Sequence, residues 1–347
     1  MTKPWFPERT STASAAPLPA PVASDPRVES ARAALLAALL LSICSAMILP
    51  PMLGMAVKTA SFLPPLMLIP YCVGPWFYAR FRRMPRIAAG IELFVLAMLV
   101  SLPVLVFSYS AMHVGYPLAD GRLAAWDAAL GFDALAFIGW LDRQPMLAAV
   151  LHISYSSFFP QLLLLPALLC GSGEIERAYR MILGLLLLGI IGASTCIFFP
   201  AVGVYVHNNI PPDAYHHVFQ KLGYFHIQLD AARLDPAFVL DLATAQGIVA
   251  FPSGHAGAAV LCAWAAWGLR RLRWPFLALN IGMFVSAIPQ GAHYLVDLMA
   301  GTVVALLSIR IASIVAGRKP ALLAAAARRR FAPGSLGFVQ RAESRQA

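Results

Sequence analysis

Apolar residues run along this chain in long stretches, separated by short polar segments that carry most of the charge. A helix needs about 20 mostly apolar residues to cross a bilayer. Eight stretches fit that pattern: Ala33–Val57, Ser61–Ala79, Ile87–Met112, Met146–Cys170, Met181–Val206, Ile248–Leu269, Trp274–Gln290 and Tyr294–Ala316. The seventh is the shortest. The second contains Pro64, Pro65, Pro70 and Pro75, so it is expected to kink or to be partly re-entrant. The pattern predicts an all-α integral membrane protein with about eight transmembrane helices.

Composition and charge sharpen this picture. Hydrophobic residues make up 60% and charged residues 12% of the chain, about half the charge of a soluble domain. The net charge of +10 is not a nucleic-acid signature, because its distribution follows the membrane. Arg80, Arg82, Arg83 and Arg86 lie between the second and third stretches. Arg177 and Arg180 lie between the fourth and fifth, and Arg270, Arg271 and Arg273 between the sixth and seventh. On the other side, the segments His113–Gln144 and His207–Gly247 are richer in Asp than in Arg and Lys. The excess of basic residues in cytoplasmic loops then places both termini in the cytoplasm, as an even number of spans requires.

This topology puts all eight histidines in outer loops or in the outer halves of spans. An active site on the extracytoplasmic face is therefore expected. The five cysteines are scattered through apolar runs, where they read as small core residues and not as a disulfide framework or zinc site.

The chemistry concentrates in two short strings. The first, Phe251-Pro252-Ser253-Gly254-His255, stands where a loop enters a span. Free backbone N–H groups at a helix start, with Gly254 permitting close approach, form an anion cradle, and Ser253 adds a hydroxyl. The second, His293-Tyr294-Leu295-Val296-Asp297, opens the last span. His293 and Asp297 are four apart and share a helical face. Asp297 can accept from one ring nitrogen of His293, which fixes the tautomer and frees the other nitrogen to attack phosphorus. An Asp just inside an apolar run is a functional candidate by default.

With these two strings the chain resembles the type 2 phosphatidic acid phosphatase superfamily. The resemblance implies a six-helix catalytic bundle, metal-independent chemistry and no cofactor. It makes His293 the nucleophile, Asp297 the group that orients it, His255 the general acid and then base, and Ser253-Gly254 the phosphate-binding turn. The phosphatases of that superfamily usually carry Ser-Arg ahead of the histidine. Here Ser286 fits, but Ala287 stands in the arginine's place, and no Lys-x6-Arg-Pro motif lies upstream. A phosphomonoester carries nearly two charges at neutral pH and a diester one, so loss of a cationic clamp harms a monoester site more. His-Tyr-x-x-Asp without the arginine is similar to the headgroup-transferring branch, which includes the inositol phosphorylceramide synthases of the aureobasidin-resistance type. The segments Leu123–Phe132 and Tyr155–Gln161 are similar to bacterial members of its inositol-phosphotransferase branch.

The resemblance therefore implies a phosphotransferase that uses a phospholipid donor and a lipid alcohol acceptor. A lipid phosphate or diphosphate phosphatase, with water as acceptor, uses the same residues and is the alternative. On the fourth stretch, His152, Tyr155, Ser156 and Gln161 share much of one face. They read either as a headgroup pocket or as interhelical hydrogen bonding. The outer loop supplies Lys221 as a candidate cation, alongside His216, His217 and His226; no metal site is expected there. The implied organisation is a disordered cytoplasmic tail over residues 1–31, two N-terminal spans over 32–86, a six-span catalytic core over 87–317, and a basic cytoplasmic tail over 318–347.

Overall fold

The computed structural model describes residues 25–218 and 225–317. Lys221 and the basic tail lie outside the described residues. The first helix, α1 (Pro26–Met52), begins inside the segment assigned to the tail. Asp25 caps it, accepting from the Arg27 N–H at 2.9 Å, and Pro26 takes the first helical position, where no N–H is needed. A short extended segment β1 (Ala56–Val57), a 3-10 turn, α2 (Leu63–Leu66) and α3 (Ile69–Phe81) follow. The proline-rich second stretch is thus broken, as its sequence predicts.

Next come α4 (Pro85–His113), α5 (Asp120–Ala129), α6 (Ala134–Asp142), α7 (Pro145–Ser156), α8 (Phe158–Gly171) and α9 (Ile175–Cys196). The chain closes with α10 (Val204–His207), α11 (His226–Leu234), β2 (Val239–Leu240), α12 (Gly254–Ala266), α13 (Arg273–Gly291) and α14 (Leu295–Gly317). Among the described residues five helical segments are each long and apolar enough to cross a membrane, or up to seven spans if two bent pairs count as one each. Leu40, Leu41, Met47, Phe77, Phe159, Val303 and Leu306 are exposed on the outside of the bundle. Such a surface suits lipid and not water, and the chain is an integral membrane protein.

Helix α9 is the central post, packed against α4, α14, α1, α12 and α8. The first helix is therefore part of the bundle and not an appendage. Its N-terminal end is tied in by Glu92, which accepts from Arg32 Nε of α1 and, at 3.3 Å, from Trp76 Nε1 of α3. At the other end of the bundle β1 pairs in parallel with β2, Ala56 opposite Val239.

Three departures from the apolar pattern shape the site. The stretch Met146–Cys170 is two helices, α7 and α8, bent by 56°. Pro160, in the first turn of α8, has no N–H to offer the carbonyl four residues back, and the helix breaks there. The stretch Ile248–Leu269 holds only 13 helical residues, α12, about 20 Å of helix, against a hydrocarbon thickness of about 30 Å. Residues 248–253 enter as non-helical chain and are largely buried, a conformation tolerated at membrane depth only where protein surrounds it. The stretch Met181–Val206 stops being helical at Cys196, and a buried turn over 199–203 leads into α10.

Candidate active site

The N-terminus of α12 is recessed in the bundle and set by its neighbours. Ser253 is its N-cap, and the Ser253 hydroxyl accepts from the Ala256 N–H at 3.3 Å. The Ser253 backbone N–H donates to the Asp297 carbonyl at 3.0 Å, tying α12 to α14. Gly301 makes the approach possible, because a Cβ there would stand 2.4 Å from the Ser253 carbonyl oxygen. Pro252 lies before the cap and follows a cis peptide bond from Phe251. The space over Gly254 is open, with nothing within 4 Å of where a Cβ would stand.

His255, in the first turn of α12, stacks on Tyr155 with ring centroids 3.9 Å apart and planes 12° from parallel. Phe158 closes a second side of the ring at 4.7 Å. Both partners flank the break between α7 and α8, so the bend caused by Pro160 is what brings them to His255.

His293 stands between α13 and α14. Its Nδ1 lies 3.1 Å from Asp297 Oδ2, and both side chains are almost wholly buried. With Nδ1–H donating to Asp297, Nε2 holds a free lone pair. The Ala250 carbonyl is a second acceptor beside the ring. Asp297 Oδ2 also accepts from the Tyr294 N–H at 2.9 Å, so the third residue of α14 reaches back to cap its own helix. Asp297 Oδ1 is buried without a hydrogen-bond partner among the described residues.

Two aspartates, which the sequence presents only as loop charge, hold this turn in place. Asp127 of α5 accepts from the N–H groups of Leu295 and Val296 at 2.8 and 2.9 Å. Asp120 accepts from the N–H groups of Val202 and Gly203 at 3.0 and 2.9 Å, and from the Tyr294 hydroxyl at 3.2 Å. Both are buried. Their seven-residue spacing, two helical turns, was the signal available in the sequence. The chain reverses at Ala292, which sits at φ 55° in the left-handed region, an uncommon and costly conformation for a residue with a Cβ. The Val204 N–H holds it by donating to the Ala292 carbonyl at 2.8 Å.

Ser253, Gly254, His255, Gly291, His293 and Tyr155 line one cavity of about 480 Å³. The rest of its wall is mostly apolar and comes largely from α4, α8 and α9. Asp297 lies behind His293 and does not line it. Nor do His152 and Gln161. His152 Nδ1 is 3.3 Å from Gln290 Oε1. Gln161 donates to Ser157 Oγ at 2.9 Å and accepts from Asn280 Nδ2 at 2.8 Å, joining α8 to α13. Of the four residues expected to form a headgroup pocket, the structure places Tyr155 at the cavity. Ala287, at the position of the superfamily arginine, is buried in the apolar core. The backbone N–H groups of His216 and His217 donate to Asp142 at the end of α6.

No curated protein and no solved structure matches the chain. The family model of the PAP2 superfamily matches residues 121–311, a span that holds both histidine strings, Asp127 and Tyr155 and leaves α1 to α4 outside. That match covers more than half of the chain, and the chain belongs to the PAP2 superfamily, whose membership supports a lipid phosphatase or phosphotransferase type of activity.

Proposed function

We propose that this protein transfers a phosphorylated headgroup, of the inositol-phosphate kind, from a phospholipid donor to a lipid alcohol acceptor at the extracytoplasmic face. The observation that carries the lipid part is the cavity's shape. One end holds His255 and His293; the wall then follows α4 from Ser108 down to Ala97. That is about 16 Å of helix, close to half of a hydrocarbon core of about 30 Å. A lipid from one leaflet fits with its phosphate at the histidines and its chain along the apolar wall. The excess of Arg in the loops at the opposite end of the bundle supports the extracytoplasmic side.

In the first half-reaction His293 Nε2 attacks phosphorus. The bond from phosphorus to the lipid oxygen breaks, and His255 gives that oxygen a proton. The headgroup phosphate is then carried on His293. In the second half-reaction the acceptor hydroxyl loses its proton to His255, bonds to phosphorus and releases His293. Asp297 keeps the Nδ1 proton in place throughout. Ser253 and the amides that open α12 hold the phosphoryl oxygens.

The test uses purified protein and a headgroup-labelled phosphatidylinositol, with and without ceramide or diacylglycerol. A new labelled lipid that requires both acceptor and His293 is expected. Water-soluble label alone would assign hydrolysis, the phosphatase alternative. Absence of both products would remove the transferase reading.

A further inference from the structure

The cavity that holds the two histidines has no Lys or Arg in its wall among the described residues, although a phosphoryl group in flight needs donors aimed at its oxygens. Most polar side chains around the α7–α8 bend are already engaged. Ser154 Oγ donates to the Val150 carbonyl and Ser157 Oγ to the Ser154 carbonyl. Gln161 bridges to α13, and His152 meets Gln290. The Tyr155 hydroxyl differs from these. It faces the cavity and has no hydrogen-bond partner among the described residues. Its position is fixed by the ring, which is stacked on His255 and 9% exposed.

Gly291 reports where that hydroxyl points. A Cβ on Gly291 would stand 3.2 Å from the Tyr155 hydroxyl oxygen and 3.0 Å from His293 Nε2. The hydroxyl and the nucleophilic nitrogen thus converge on the same small volume, kept free by a glycine.

Building on the phosphohistidine reading above, we propose that Tyr155 is a catalytic residue. Its hydroxyl donates a hydrogen bond to a phosphoryl oxygen while phosphorus is bonded to, or leaving, His293 Nε2. It is a neutral donor in a cavity with no Lys or Arg among its described lining residues. A neutral donor suits a phosphodiester, with one charge, better than a monoester with nearly two. The site therefore selects singly charged lipid phosphodiesters. The same ring holds His255 by stacking, so one residue touches both halves of the acid–nucleophile pair.

Tyr155→Phe keeps the stack and removes only the donor. Loss of one such donor lowers kcat by about 100-fold or more, and that is expected for diester transfer, with KM and protein yield near wild type. Fluorotyrosines installed at 155 supply a second readout: kcat should change in step with phenol acidity, which a packing role would not produce. Wild type should also turn over a diester faster than the matching monoester. Full activity of Tyr155→Phe, no trend across the fluorotyrosines, or a preference for monoester would overturn the proposal. His293→Ala is run in parallel. If it stays active, the phosphohistidine reading itself fails; if it is inert while Tyr155→Phe is unimpaired, only the role of Tyr155 fails.

Discussion

The carboxylate of Asp127 holds the backbone of Leu295, two residues beyond His293, through an N–H···O bond of 2.8 Å. Its other oxygen takes the next N–H, of Val296. A helix start leaves N–H groups without partners, and here a different helix satisfies them. The position of the His293–Asp297 pair is thus set from α5, far away in sequence. Asp127→Ala is expected to cost roughly 2 kcal/mol of stability, since two buried donors lose their acceptor. Turnover should fall more steeply than stability suggests, because small misplacements of a reacting group cost up to about 100-fold. Thermal unfolding in detergent and a transfer assay check the two effects separately.

Gly291 sets a second limit. A methyl group there would stand 2.7 Å from His293 Cδ2, too close for carbon to tolerate. The rings cannot both stay in place. Gly291→Ala is expected to destabilise by about 1–3 kcal/mol and to lower turnover by about 100-fold. Near-normal kinetics in this variant would mean that the ring position matters less than its contacts imply.

The apolar wall makes a claim about chain length. Leu105 lines it on α4, about one helical turn below Ser108. Leu105→Trp should fill space that a long lipid chain occupies, raising KM for a long-chain donor by about 10-fold, the cost of losing one or two buried methylenes' worth of contact. A short-chain donor should be affected little. Parallel kinetics with donors of two chain lengths decide it.

Acid should loosen the tie between the β1 and β2 segments. Lys58 Nζ meets Asp241 Oδ2 at 2.7 Å beside the β1–β2 pair, and this partner, with the Ala243 N–H, holds the Asp241 carboxyl below its usual range. A carboxyl depressed in the folded state contributes stability above its unfolded value, about 3.9, and loses it as pH falls through the folded value. The effect is therefore confined to strongly acidic solution. Asp241→Asn should remove it, so wild type and variant should converge in unfolding temperature at low pH and separate slightly at neutral pH.

Much of this arrangement is legible in the sequence because it is local. His293 and Asp297 are four residues apart, and the start of α12 carries Ser, Gly and His together, so each group is near its partner in sequence, although His293 precedes α14 and does not share its helical face. Asp120 and Asp127 are not legible in the same way. Their partners, Gly203, Tyr294, Leu295 and Val296, come from segments that only the folded chain brings near. The depth of the site is hidden for another reason. Residues 248–253 are largely apolar, so hydropathy extends the helix through them, whereas they are non-helical chain enclosed by protein. The break at Ser157 follows from Pro160, but a proline inside an apolar run also fits a kinked span. Only the packing of Tyr155 and Phe158 on His255 gives that break a purpose.

The proposed transfer depends on a covalent intermediate on His293. The most direct measurement is rapid-quench trapping with a phosphodiester lipid labelled at phosphorus, in the absence of acceptor. Wild type should retain acid-labile, base-stable label on the protein, mapped to His293, and adding a lipid alcohol should discharge it into new lipid. His293→Ala should retain none. Label on another residue, label in His293→Ala, or turnover by wild type with no trapped label would rule out a phosphohistidine at His293.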